Sequence, residues 1–404
     1  MIEAAALDVS LHDRRIGTIA RLAGDRSIFT FDEGYVTDPE RPTLSLAYKD
    51  AFGATINQPR AYQTRTEPFF SNLLPEGALR DYLARRAGGK SVREYQLLEQ
   101  LGADLPGAVK VVPVGEETLV HDNEDAGKVA EQARPALRFS LAGVQLKFSA
   151  IKNQGKGGGL TIPVSGSGGD WIIKLPSSHH PDLPENEFAT MNLAVALGIE
   201  VPETNLISID AVEGLPDGIH RYGTSAYAIR RFDRSPEGPI HVEDFAQVFG
   251  VFADDKYDNA SYRQILSVLA IETDESSIVE FIRRLTYSVL IGNGDMHLKN
   301  WSLVYRDGRT PALSPAYDLV ATVAYIPGEE SALKFHRSRD WQSFNYNELE
   351  VIADRAKVPT RLLVGTSRET VEQFDDVWSR EKTNLPFSRD TIAAIEKHRK
   401  NLAI

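Results

Sequence analysis

The stretch Gly294-Asp295-Met296-His297-Leu298-Lys299-Asn300 decides the reading of this chain. It follows Ser277–Ile291, whose apolar residues recur at three- and four-residue spacing and predict a helix. It precedes Trp301–Tyr305, which predicts a short strand. Leu313–Pro315 predicts a second, with the turn Asp307-Gly308 between the two. Past that small hairpin lies Tyr317-Asp318-Leu319, which puts Asp318 18 residues after Asn300.

This order meets a chemical need. Phosphoryl transfer from ATP requires a carboxylate to orient the attacking hydroxyl, and oxygen ligands to hold magnesium against the phosphates. An Asp followed five positions later by an Asn supplies both from one loop. A second magnesium carboxylate then comes from beyond the hairpin. Asp295 is therefore read as catalytic base, and Asn300 and Asp318 as magnesium ligands. A lone Asp-x4-Asn is common, and its ordinary reading is a helix end followed by a solvated turn. The hairpin and Asp318 make the pattern specific. His297 and Lys299 share the loop; they could meet the γ-phosphate, or His297 could simply hold the loop by hydrogen bonds.

A cation for the phosphates is also needed. Lys174, in Trp171-Ile172-Ile173-Lys174-Leu175-Pro176, ends a predicted strand, where the ordinary alternative is an exposed strand end. The helix predicted over Glu185–Leu197 offers Glu187 as its pairing acid. Glu185 competes, because first turns of helices favour acids anyway. The run Gly155–Gly159 fits neither Gly-x4-Gly-Lys-[Ser/Thr] nor Gly-x-Gly-x-x-Gly and reads as a flexible turn. In Ser140-Leu141-Ala142-Gly143-Val144-Gln145-Leu146-Lys147, small residues lead into a strand and could present backbone N–H groups to phosphate.

Around these segments the chain divides in character. Strands are predicted at Ala4–Val9, Arg15–Arg21 and Ser27–Phe31, with Leu44–Tyr48 as a fourth. Helices follow in Gly77–Ala87 and Val92–Leu101, then a strand at Ala108–Val114 and a polar stretch at His121–Arg134 that reads as a helix or a connection. Val144–Ile151 and Trp171–Leu175 read as paired strands flanking Leu160–Val164, and Tyr227–Phe232 as another. Thereafter helices dominate: Val242–Phe249, Tyr262–Ala270, Asn345–Arg355 and two within Pro359–Leu402. At 404 residues, two or three lobes are expected. The parts are 1–115, 136–235 with phosphate loop and ATP lysine, and a helical 236–404 with the catalytic loop.

Composition narrows the function classes. Hydrophobic residues are 42% and charged residues 25%, as in an ordinary globular protein. The net charge of −12 disfavours nucleic-acid binding by the chain's own field, which needs clustered Lys and Arg. With no cysteine there is no disulfide, thiolate metal site or cysteine nucleophile. Met1–Ser10 carries no Lys or Arg and does not read as a signal peptide, and no apolar run reaches membrane-helix length. A cytoplasmic location is expected.

At these residues the chain resembles the HipA family of toxin kinases over nearly its whole length. Ser140–Lys147 is similar to the family's Ser-ϕ-Ala-Gly-x-Gln-x-Lys loop, where ϕ is apolar, and Ile172–Pro176 to its ATP-lysine strand. Glu185-Asn186-Glu187 with Leu193-Ala194 and Leu197-Gly198-Ile199 resembles the helix behind it. Arg231-Phe232-Asp233-Arg234 resembles the approach to the nucleotide hinge, and Glu243-Asp244-Phe245 with Gln247 and Gly250 the helix after it. Asp295–Asn300 and Tyr317-Asp318 complete the set; Leu44-Ser45-Leu46 and Phe69-Phe70 through Leu73–Gly77 look like the first subdomain.

The resemblance implies an α+β, two-lobed protein-kinase-like (HipA-like) fold. Its N-terminal lobe would be β-rich with an extra N-terminal subdomain, and its C-terminal lobe all-helical. It implies ATP- and magnesium-dependent phosphorylation of Ser or Thr on a translation-related protein, such as an aminoacyl-tRNA synthetase or another translation factor, arresting growth. Nucleotide contacts would fall on Ala142, Gly143, Val144, Gln145, Lys147, Lys174, Phe232, His297, Lys299, Asn300, Tyr317 and Asp318. Ser140 would be an autophosphorylation site, though a plain turn residue is its other reading. A HipB-like helix-turn-helix antitoxin would carry the pair to operator DNA, so DNA is met only through the partner, and no membrane is involved. The chain departs from the family at Met296, where Gly is frequent, at Leu298, where Ala is, and at Arg230, where an acid is. Bulk at Met296 and Leu298 beside Asp295 is expected to bear on target fit. Two other readings remain: a small-molecule phosphotransferase, and a catalytically inactive co-repressor scaffold.

Overall fold

The computed structural model describes residues 5–76, 93–115, 147–152, 160–161, 169–213, 215 and 218–404. The chain folds as two compact units. One comprises Met1–Glu124, Asp233–Asn259 and Ser302–Pro311; the other Asp125–Phe232, Ala260–Trp301 and Ala312–Ile404.

The first unit is built on a sheet ordered β4-β3-β2-β1-β5. Its strands are β1 (Ala6–Leu11), β2 (Arg14–Leu22), β3 (Arg26–Phe31), β4 (Ala61–Gln63) and β5 (Val109–Pro113). Alternation along β1 sends Leu7, Val9 and Leu11 inward, as a half-buried strand requires. Helix α1 (Glu94–Leu101) buries Leu97 and Leu98 in the same core. It ends at Gly102, where a Cβ would lie 2.1 Å from the Val111 carbonyl oxygen, so only glycine lets the helix end press on β5.

Two expectations are corrected here. Leu44–Tyr48 is not a strand: Leu46–Tyr48 is a 3-10 turn whose cap, Ser45, accepts from the Ala47 N–H. Val242–Phe249 is not one helix either. His241–Asp244 is a strand paired antiparallel with Ser302–Tyr305, and only Phe245–Val248 is helical. The cause is the buried Glu243 carboxylate, which accepts from the Ser45 hydroxyl, the Leu46 N–H and the Tyr305 hydroxyl. Burial pushes its carboxyl up to about 7 against those donors. Asp244 and Gln247 then form a reciprocal capping box that starts the helix one residue later. Strand β4 has no counterpart among the predicted elements.

The second unit carries a sheet ordered β10-β7-β6-β8-β11-β9. Its strands are β6 (Lys147–Lys152), β7 (Leu160–Thr161), β8 (Trp171–Lys174), β9 (Thr204–Ser208), β10 (Val212–Glu213) and β11 (Ser225–Arg230). Among the described residues its longer helices are α2 (Leu183–Ala196), between β8 and β9, and then α3 (Tyr262–Glu272), α4 (Glu275–Ile291), α5 (Tyr346–Ala356), α6 (Thr360–Glu381) and α7 (Arg389–Arg399). The predicted helices at Tyr262–Ala270, Ser277–Ile291, Asn345–Arg355 and Pro359–Leu402 are all present. The expected helix at Gly77–Ala87 and the polar stretch His121–Arg134 lie outside the described residues.

Helix α4 leads into the Asp295–Asn300 loop. Asp274 caps its start by accepting from the Ser277 N–H. Gly292, at φ 66°, turns the chain out of its end, and a Cβ there would lie 2.4 Å from Val323 Cγ1. Its inner face holds a fully buried Arg284, which donates to the Ser314 carbonyl at 2.9 Å and lies over the Trp301 ring. Among the described residues, no helix is long and apolar enough to cross a membrane.

Candidate active site

The loop after Gly292 is held by its own backbone. Asn300 Nδ2 donates to the Asp295 carbonyl at 2.8 Å, and the Asp295 N–H donates to Asn293 Oδ1 at 3.1 Å. The Gly294 N–H donates to Thr322 Oγ1 at 2.6 Å. The two residues at Asp-x4-Asn spacing are thus tied to each other, which leaves the amide oxygen of Asn300 outside this bond. The Asp295 side chain stays half exposed, with His297 Nε2 3.9 Å from its Oδ1. That contact, and the burial of His297, fit the loop-holding reading of the histidine.

Asp318 stands beyond the loop. Its backbone is left-handed at φ 53°, a region costly for a residue with a side chain and often found where a functional group must be aimed. Asn293 Nδ2 donates to its carbonyl at 3.4 Å. The carboxylate receives two ammonium groups: Lys174 on Oδ1, and Lys147 on Oδ2 at 3.1 Å. Burial works against its charge, yet Lys147 and Lys174 hold it well below the usual carboxylate range.

Lys174 is the centre of this cluster. It is nearly fully buried at the end of β8, gripped by Glu187 and Asp318, with its Nζ 5.6 Å from the Tyr227 ring centroid. Burial would lower its pKa, but the two carboxylates outweigh that and raise it. Glu187, on α2, is pushed up by burial and pulled back by Lys174. Of the two candidate acids it is Glu187, not Glu185, that closes on the lysine.

Sequence reading missed the residues that fasten these parts. Asn186 donates to the Ala321 carbonyl at 3.2 Å and accepts from the Ala321 N–H, while the Thr190 hydroxyl donates to Leu319. Together they clamp α2 to the segment after Asp318. Asn293 and Thr322 brace the loop. A polar residue adjoining each motif was the available signal. Tyr317 donates to the Lys299 carbonyl at 2.9 Å, and its ring lies 5.7 Å from that of Phe232. Met296 and Leu298 are wholly buried, which gives their bulk a packing role in the loop. Ser140, Ala142, Gly143, Val144 and Gln145 lie outside the described residues.

Asp318 and Asn300 offer a carboxylate and an amide oxygen, hard donors suited to magnesium. The two ammonium groups already on Asp318 mark it as a place built for positive charge.

Residues 7–112 match the HipA N-terminal domain, and residues 139–378 match the HipA-like C-terminal domain. The chain belongs to the HipA family. Among its relatives is Y4dM of Sinorhizobium fredii, provisionally described as a kinase, 54% identical over 400 residues spanning 98% of this chain and 97% of Y4dM. The serine/threonine-protein kinase toxin HipA of Shewanella oneidensis is 27% identical, over 89% of this chain and 85% of that toxin. A solved complex of Shewanella oneidensis HipA with HipB and operator DNA superposes with a TM-score of 0.72 at 22% identity, covering 98% of this chain and 95% of that one. The expected α+β, two-lobed, HipA-like kinase fold is thereby established.

Proposed function

We propose that this HipA-family chain is an ATP- and magnesium-dependent serine/threonine protein kinase. One observation carries the reading: a buried ammonium, Lys174, held between Glu187 and Asp318 in the same unit as the Asp295–Asn300 loop. Lys174 would pair with the nucleotide phosphates, and Asn300 and Asp318 would hold magnesium. Bound magnesium would neutralise charge on the phosphates. Asp295, half exposed on a fixed backbone, would accept the hydrogen bond of the incoming hydroxyl and take its proton. Ala142, Gly143, Val144, Gln145 and Lys147 would cover the phosphates, with Phe232, His297, Lys299 and Tyr317 completing the nucleotide site.

The family resemblance supports the finer parts of the proposal. The target would be a translation-related protein such as an aminoacyl-tRNA synthetase, the location cytoplasmic, and the partner a HipB-like antitoxin that brings the pair to DNA. The chain's net charge of −12 suits a partner that supplies the basic DNA-reading element. We keep 1–115, 136–235 and 236–404 as the proposed functional parts.

The test is intact mass and phosphopeptide mapping after incubation with ATP and magnesium. One added phosphate on Ser140 is expected, and it disappears in Ser140→Ala. Label persisting at its full level in that variant would move the site elsewhere. ATP binding without any transfer would favour the inactive co-repressor, and absence of ATP binding would end the kinase reading. Asp318→Asn keeps the side-chain shape but removes the charge. It is expected to raise the magnesium needed for half-maximal transfer by at least about 10–100-fold. An unchanged magnesium titration would remove Asp318 from the metal site.

A further inference from the structure

Strands β6 and β8 run antiparallel with Lys147 directly opposite Lys174. Directly opposed residues project to one face with Cβ atoms about 5 Å apart, and like charges so placed repel. Asp318 lies between the two ammonium groups, one on each carboxylate oxygen. The two lysines differ in their ties. Lys174 is nearly buried and also gripped by Glu187, whereas the Lys147 side chain is 50% exposed with Asp318 as its ion-pair partner. Two lysines against Glu187 and Asp318 leave the cluster electrically balanced.

That balance has a consequence for cation binding. A divalent ion arriving alone must displace an ammonium from Asp318 and leaves two positive charges in excess. A nucleoside triphosphate arriving with the ion brings the anionic oxygens that re-pair both lysines. Lys147, half exposed and outside the direct Glu187 ion pair that holds Lys174, is the group better able to move.

We propose that Lys147 is the resident counter-ion of Asp318, occupying the carboxylate until a nucleoside triphosphate takes its ammonium, so that metal binding is coupled to nucleotide binding. This rests on the kinase reading above and adds to it a role for Lys147 in the nucleotide-free protein. Lys147 thereby acts as a positioning residue for the metal site.

The test measures Mn2+ binding to the full chain without nucleotide, from the free-ion electron paramagnetic resonance signal. Wild type is expected to bind Mn2+ weakly, and Lys147→Met about tenfold more tightly or better, in the usual range of such couplings. Lys147→Arg keeps the charge and is expected to behave as wild type. Adding Asp318→Asn to Lys147→Met is expected to abolish the gain, which assigns it to this carboxylate. Lys147→Gln serves as a second neutral variant should Lys147→Met fold poorly. Nucleotide-free Mn2+ affinity equal to wild type in the neutral variants would overturn the proposal, as would a gain that survives Asp318→Asn. ATP binding, measured separately by calorimetry, tests the kinase reading: its absence from wild type would sink that reading whatever the Mn2+ result.

Discussion

Asp295→Gln is expected to lower phosphoryl transfer by about 10²–10⁴-fold, the usual contribution of a positioned general base. The backbone ties of the loop are untouched by the change: Asn293 Oδ1 holds the Asp295 N–H, and Asn300 Nδ2 holds its carbonyl. The side chain itself is half exposed, so a longer neutral amide has room. Stability within about 0.5 kcal/mol of wild type is expected, as for a substitution away from core features. ATP binding should persist, since neither Lys174 nor Asp318 depends on the Asp295 carboxylate for its pairing. Phosphate incorporation measured beside calorimetric ATP binding separates the two steps. Turnover at the wild-type rate would remove Asp295 from the chemistry.

Lys174→Met should damage both activity and fold. Loss of a preorganised cation is expected to reduce transfer by about 10²–10³-fold. The fold suffers because Glu187 is left buried, without its counter-ion, and removing one partner of a buried pair costs about 3–5 kcal/mol when the other stays charged. Burial already pushes Glu187 up, so in the variant it takes a proton more readily. Its folded pKa then stands above the unfolded value. The stability of Lys174→Met is therefore retained below the unfolded carboxylate pKa and lost as pH rises through the raised one. Adding Glu187→Gln should recover stability without recovering transfer. Urea melts of both variants across pH check this. A double variant as unstable as the single would show that the Lys174–Glu187 charge pairing is not what holds this part of the fold.

The geometry of the Asp295–Asn300 loop was legible because its signals are short-range. Asp295 and Asn300 sit within one turn-and-a-half of chain after a capped helix, and their tie is made inside the loop. The helices after Ala260 were legible for the same reason, since their apolar period repeats within each window. Where a local pattern competed with a distant partner, the reading failed. Val242–Phe249 has helical spacing, but Glu243 is drawn into the interior by Ser45 and Tyr305, residues far away in sequence. Leu44–Tyr48 has strand-like composition, but Ser45 is committed to capping and to that same carboxylate. The Asp-x-x-Gln capping box at Asp244 was the local clue that a helix begins one residue later.

The sequence by itself determined the order of the chemical groups, the loop that carries Asp295 and Asn300, and the family to which the chain belongs. Spacing and local backbone preference are properties of a short window and survive without any tertiary contact. Only the tertiary structure decided that Glu187 rather than Glu185 meets Lys174, that Lys147 lies on Asp318, and that Met296 and Leu298 turn inward. Those outcomes depend on strand register, helix rotation and the need to neutralise charge away from water. Each is set by groups brought together from distant parts of the chain, and no window of sequence contains them.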